Sequence, residues 1–289
     1  MKDYYLVTTG HLEDKLWFLD DDDFRTGMNY VAIQASLSDV IVLCFILMSN
    51  HLHFVLYGER EEALAFVNGI KARYSQYYYK KYGVNEFLRR NRVDIQRIDA
   101  SDESLERAVA YVLMNSVAAN ICSHPTQYPW GTGNLFFNSE KPSATPLHQL
   151  SKRARSKLFH SWCPELPLDW KVGKAGFILP ECYVNVSFVE SRFRTPQRMN
   201  YFLMSSSKAR RHLESFEGGR PVFRDQAISA MLPDLCRSLF QKQRYEDLST
   251  EEKIECLRQM RFRFCTNPNQ IARVIGLSYE EVAKMLDST

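Results

Sequence analysis

No stretch of this chain is long and apolar enough to cross a bilayer. The longest apolar run, Val40 to Met48, falls far short of the roughly 20 residues a spanning helix needs. The N-terminal segment MKDYYLVTTG lacks the basic, apolar and small-residue layout of a signal peptide, so a cytoplasmic protein is expected. None of the seven cysteines sits in a CxxC pair, which argues against structural zinc and a disulfide framework and suits reduced thiols. The sequence holds no GxxxxGK phosphate loop and no GxSxG elbow, which leaves out those two motif-based routes to nucleotide and acyl chemistry. Charge of one sign is scarce too: 37 Lys and Arg stand against 34 Asp and Glu, a net +3.

What is present describes a globular protein. With 289 residues, 45% of them apolar and 13% aromatic, the chain can bury a sizeable core, and one larger domain with a smaller appendage is expected. The small net charge conceals an uneven distribution. From Lys71 to Arg97 the bases Lys71, Arg73, Lys80, Lys81, Arg89, Arg90, Arg92 and Arg97 face only Glu86 and Asp94, with five tyrosines interleaved. Bases attract phosphates and aromatic faces stack on unpaired nucleobases, so this segment is a candidate nucleic-acid surface; a solvated helix face accounts for the same pattern.

Periodicity places a strand at 4–9, a helix at 24–38 after the acidic turn DDDD, and strands at 40–48 and 52–57. A helix from Glu61 to Tyr82 closed by Gly83 and a strand from Arg92 to Ile98 complete the order βαββαβ, an α+β, ferredoxin-like arrangement. A further helix is predicted from about Glu103 to Ile121. The core domain is expected to end near residue 137, after the irregular segment SHPTQYPWGTGN. Residues 138–247 read as a partly helical extension of unclear role. Residues 248–289 look like a helix-turn-helix, with caps at Ser249, Asn267 and Ser278 and a turn at Gly276. Glu280 and Glu281 on its last helix repel phosphate. These helices are therefore expected to be dispensable for chemistry and to serve packing, partner contact or a modest contribution to duplex affinity through Arg258, Arg261, Arg263 and Arg273.

The segment LMSNHLHFVLYG sets two histidines on alternate positions of a strand, so that His51 and His53 share one face while Leu52 and Phe54 share the other. Two imidazoles so placed can hold one divalent ion and leave positions open for phosphate oxygen. Two partly exposed histidines with no ligand are the other reading.

Taken together, MSNHLHFVL, the basic helix IKARYSQYYYKKYG, the strand after RRN, and YVLMNSVAANI followed by YPW resemble the HUH single-tyrosine transposases, especially the REP-associated tyrosine transposase group. The likeness spans roughly residues 4–137. The chain departs from the family pattern in having Ser49 and Ser116 where proline is usual. The resemblance implies that His51 and His53 are metal ligands, that Tyr111 is the nucleophile, and that Asn115, one helical turn further on, supplies a third ligand. It implies Mn2+ or Mg2+ as the cofactor, without a small-molecule cofactor. DNA would be contacted by Lys71, Arg73, Lys80, Lys81, Arg89, Arg90 and Arg92. The implied activity is a single-stranded DNA endonuclease and strand transferase acting on hairpin DNA through a 5′-phosphotyrosine; a homodimer is compatible with it, and no membrane partner is expected. Two alternatives stay open: a non-catalytic DNA-binding regulator on the same fold, and a metal-dependent RNA-processing enzyme.

Overall fold

The computed structural model of the chain describes residues 1–9, 16–84, 92–99, 103–140, 142–160, 166–206, 223–264 and 266–287. Its first elements are β1 (Asp3–Thr8), α1 (Asp21–Ser36), β2 (Ile41–Leu47), β3 (Leu52–Gly58), α2 (Arg60–Tyr82), β4 (Asp94–Ile98), α3 (Ser104–Leu113) and α4 (Asn115–Ala118). Then come β5 (Ala144–Pro146), α5 (Lys152–Phe159), β6 (Lys171–Gly173), α6 (Val186–Phe193) and α7 (Pro196–Ser205). The chain ends with α8 (Asp225–Phe240), α9 (Thr250–Phe264), α10 (Pro268–Ile275) and α11 (Tyr279–Asp287). The first four strands form one antiparallel sheet in the order β2-β3-β1-β4, and β5 pairs with β6 in a small separate ribbon. An α+β protein built on a four-stranded antiparallel sheet is what the periodicity predicts.

The helices start and stop for local reasons. Asp20 caps α1 by accepting the Asp23 amide at 2.9 Å, while the Asp23 carboxylate takes the Leu19 amide at 2.7 Å. The acidic run thus forms the first turn of a helix, where the macrodipole favours it, and not a turn preceding it. Gly83 ends α2 in the left-handed region, at φ 71°, with its amide bonded to the Tyr79 carbonyl. The expected helix over 103–121 is interrupted at Met114. There the Asn115 amide nitrogen bonds the carbonyls of Tyr111 at 2.8 Å and Val112 at 3.2 Å, so a side chain caps the end of α3.

Strand alternation divides the core into two layers. Phe54 of β3, with Val7 and Phe45 beside it in the ladder, points toward α2, where it meets Phe66 edge-on at 5.6 Å. On the other face Tyr4 and Tyr57 pack together at 4.8 Å and Tyr4 stacks on Phe188 of α6. The outer edge of β2 is covered, which removes an edge open to pairing with another chain. Leu47 donates to the Trp130 carbonyl at 2.8 Å, Phe45 donates to the Thr132 hydroxyl at 3.1 Å, and Asn185 donates to the Val42 carbonyl at 2.9 Å. Gly131 is required in this strap because a Cβ there would stand 2.7 Å from the Phe45 carbonyl oxygen.

These contacts run across the expected domain limits. Residues 130–132 and 184–185 flank the same strand, and Leu147, Phe159, Ile178, Val189, Phe193 and Phe202 join the core built on the sheet. The first unit therefore runs on through α7, past residue 137. A second apolar cluster joins α8 to α9, α10 and α11, so the boundary at 248 would cut through it. The expected caps are present: Ser249 with Glu252, Asn267 with Gln270, and Ser278 with Glu281, with Gly276 left-handed between α10 and α11.

A buried ion pair inside the second unit also reaches the first through the Ala119 carbonyl. Arg273 of α10 bonds Asp225 at 2.8 Å and the Ala119 carbonyl at 3.0 Å, and Gln270 bonds Asp225 at 3.1 Å and the Phe223 carbonyl at 2.8 Å. The Arg273 side chain is 11% exposed and that of Asp225 0%, so Arg273 is spent on the fold and is not a duplex contact. Removing one partner of such a pair strands a buried charge, and Arg273→Met should lower stability by about 3 kcal/mol, read from urea unfolding. Deletion of 248–289 should fail to give a folded product, because it leaves Asp225 and the apolar face of α8 uncovered. A truncated chain with unchanged unfolding midpoint would contradict both expectations.

Candidate active site

The turn from β2 to β3 is held from both sides. Met48 donates to the His51 carbonyl at 2.8 Å, and the Ser49 carbonyl accepts the amides of Trp17 at 2.7 Å and Phe18 at 3.1 Å. Beside it, Thr9 donates its amide to the Leu52 carbonyl and accepts the Leu52 amide on its hydroxyl at 2.8 Å. Ser49 thus serves the turn through its carbonyl, while its hydroxyl is buried with no hydrogen bond among the described residues. A proline at that position would keep the same carbonyl, so the departure from the family pattern leaves this turn intact.

His51 precedes β3 and is half-buried; His53 lies within it and is 4% exposed. Their ring centroids are 4.7 Å apart with the planes at 89°. A ring nitrogen bound to an ion at about 2.1 Å puts the ring centroid roughly 3.2 Å from that ion, so two rings whose ion–nitrogen bonds meet at about 90° have centroids about 4.6 Å apart, whatever the angle between their planes. The observed separation fits that geometry. Asn50 Oδ1 lies 2.7 Å from His51 Nδ1. An amide oxygen only accepts, so Nδ1 carries the proton and Nε2 keeps its lone pair for a ligand, the usual way an outer partner orients a metal-binding histidine. Asn50 is an orienting group that the sequence reading missed; its position next to His51 was the available signal.

α3 brings Tyr111 to the same place from sixty residues further along the chain. Leu105, Val109, Val112 and Leu113 bury one side of this helix in the core, and the half-buried Tyr111 meets the His53 ring edge-on at 5.7 Å. Asn115 is 3% exposed, with its amide nitrogen committed to the α3 carbonyls. The ladder adds two residues that spacing alone did not indicate. Ile46, His53, Thr8 and Asp94 form one row across β2, β3, β1 and β4, so Thr8 and the exposed Asp94 share the histidine face. Among the described residues, no group of three or more His, Cys, Asp or Glu side chains could hold a metal ion. Two imidazoles alone are an incomplete donor set, so any ion held here would need oxygen groups to complete its coordination.

No protein-family model matches the chain, and no curated protein matches it. One similar solved structure is that of a REP-associated tyrosine transposase bound to a REP hairpin. It shares 12% identity and a TM-score of 0.36, over 46% of this chain and 77% of that one. A likeness of that size carries no argument, and the candidate site rests on its own geometry.

The expected DNA-contacting bases are not one surface. Lys71 is 6% exposed, on the face of α2 that buries Phe66, Val67, Ile70 and Tyr74, so it is not available as a phosphate contact. Lys81 is tied to Asp20 at 2.7 Å and Asp23 at 2.8 Å. Burial opposes its charge, but the bonds to these carboxylates prevail and raise its pKa. Arg73 and Lys80 lie on the outside of α2, across the sheet from Tyr111, and Arg92 is exposed just before β4. Arg89 and Arg90 lie outside the described residues. Of the tyrosine run, Tyr77 and Tyr78 are largely buried and Tyr79, 52% exposed, lies open at the surface.

If His51 and His53 hold one ion, Asn50→Ala should weaken Mn2+ binding by about tenfold through loss of orientation, and His53→Ala by more. Calorimetric titration of the whole chain measures both. Equal Mn2+ affinity in the wild type and the His53→Ala variant would exclude the pair as ligands.

Proposed function

We propose that the six-element order with strands β2-β3-β1-β4 is the ferredoxin-like arrangement and that this chain is a metal-dependent single-stranded DNA endonuclease and strand transferase acting on hairpin DNA. The observation that carries the reading is the meeting of His51, His53 and Tyr111, from two distant segments, on one face of the sheet. Edge-on ring packing alone would stabilise such a set modestly, whereas tyrosine attack on a phosphodiester makes use of each member.

A phenol with an ordinary pKa of about 10 is a poor nucleophile at neutral pH. Mn2+ or Mg2+ held by His51, His53 and the Asn115 amide oxygen would supply positive charge at the scissile phosphate. Tyr111 Oη attacks phosphorus as its proton leaves; an Oη–P bond forms, the P–O3′ bond breaks, and the departing 3′ oxygen takes up a proton. The 5′-phosphotyrosine keeps the bond energy of the cut linkage, so a 3′ hydroxyl attacking the same phosphorus rejoins a strand and releases Tyr111. His53, buried beside the tyrosine ring, limits where that ring can sit and so helps aim it. Arg92, exposed just before the strand that carries Asp94, and Arg107, exposed one helical turn before Tyr111 on α3, are described bases that would guide a strand toward this face.

Incubation of the protein with Mn2+ and labelled single-stranded hairpins should give a denaturation-resistant protein–DNA adduct. Tyr111→Phe should abolish that adduct and leave hairpin affinity within about twofold, since only the reacting oxygen is lost. Adduct formation by the phenylalanine variant would assign the nucleophile elsewhere. Hairpin binding without any adduct in the wild type would instead favour a non-catalytic DNA-binding role.

A further inference from the structure

On the far side of the sheet from Tyr111, α2 presents Arg73, Gln76 and Lys80 at i, i+3 and i+7, one stripe along its outer face. With Tyr30, Tyr77 and His160 they line a cavity of about 390 Å³, within the roughly 300–1,000 Å³ of sites that enclose small molecules. The charges around it are unevenly committed. Lys81 is held by Asp20 and Asp23, and Asp22, the acid on the cavity wall, is held by Arg25 at 2.8 Å. Arg73 and Lys80 make no hydrogen bond or ion pair with the described residues. Two cations seven residues apart on one helix face, uncompensated at the mouth of a cavity, repel each other and attract a shared anion.

The remaining walls are rings. The Tyr77 ring lies 5.0 Å from that of His160 and 6.5 Å from that of Tyr30. His160 ends α5 in the left-handed region, at φ 47°, which turns the chain at this point. Burial keeps its pKa below the ordinary 6.5, so at neutral pH it contributes a neutral ring. Tyr77 is fixed by its bond to Asp23 at 3.0 Å. The cavity therefore combines a rigid aromatic wall, one amide and the paired charges of Asp22 and Lys81 with two positive charges that have no partner among the described residues.

We infer that this cavity is a binding site for a nucleoside monophosphate unit, with its phosphate on Arg73 and Lys80 and its planar base against Tyr77 and His160. Volume, ring wall and paired cations each match one part of that ligand. An inorganic anion uses only the charges, and an uncharged ring uses only the wall. The same unit occurs as a free nucleotide and as the 5′-phosphorylated end of a strand. The sheet lies between this cavity and Tyr111, so a phosphate bound here is not the phosphate that the tyrosine attacks. The assignment does not depend on the tyrosine chemistry.

Calorimetric titration of the whole chain with adenosine monophosphate, inorganic phosphate, adenosine, and a short oligonucleotide with or without a 5′ phosphate tests it. The monophosphate should bind saturably, and phosphate or adenosine at least about tenfold more weakly. Arg73→Gln and Lys80→Gln should each weaken the monophosphate about tenfold. Neither side chain has a partner among the described residues, so the variants should keep the wild-type melting temperature. Tyr111→Phe should bind the monophosphate as the wild type does, which separates failure here from failure of the proposed reaction. A 5′ phosphate that strengthens oligonucleotide binding only when Arg73 is present identifies strand ends as the source, and its lack of effect identifies free nucleotides. No saturable binding of the monophosphate at millimolar concentration, or equal affinity in the Arg73→Gln, Lys80→Gln double variant, would overturn the assignment.

Discussion

Phe54 and His53 are adjacent in the chain and point to opposite sides of the sheet, and the rest of the molecule is arranged around that division. Phe54 is fully buried against α2, so a slip of β3 by one residue would put an imidazole into the apolar layer and a phenyl ring onto the site face. The register is secured on both sides of the strand, by Thr8 and Val7 of β1 and by Ile46 and Phe45 of β2. Burial of an aromatic core thereby fixes the orientation of the histidines, and no further device is needed to aim His53 at α3.

The acidic run Asp20–Asp23 performs a similar double duty on the other layer. Asp20 and Asp23 cap α1 and also hold Lys81 at the end of α2, while the Tyr82 hydroxyl donates to Asp23 at 2.8 Å. These bonds join the start of one helix to the end of the other and use up charges that a linear reading assigns to DNA. Beside the ring-walled cavity, Arg73 and Lys80 of α2 have no partner among the described residues. Internal pairing, more than the local density of basic residues, thus decides which cations are available to a ligand.

The helices from α8 onward form their own apolar cluster, yet their fastening reaches Ala119, directly after the short helix that begins with Asn115. The second unit therefore supports the segment behind Tyr111 without adding a side chain to the cluster of rings. Glu280 and Glu281 at the start of α11 are exposed, which agrees with a packing role for these helices more than with insertion into a phosphate-lined groove.

Several features were legible from the residues alone. Alternation in LMSNHLHFVLYG assigns His51 and His53 to one side, Gly83 stops α2, and paired caps start the last three helices, because each of these depends on neighbours within about four positions. The joining of Tyr111 to the histidines was available only through resemblance, since no local pattern links residues so far apart. Tertiary structure alone decided that Lys71 is buried, that Lys81 is paired while Arg73 and Lys80 have no partner among the described residues, and that Arg273 closes on Asp225. It also decided that the core runs well past residue 137, because Gly131 and Asn185 complete the edge of β2. The reason is common to these cases: burial and charge pairing are set by which distant segments meet, and spacing along one segment does not encode its partner.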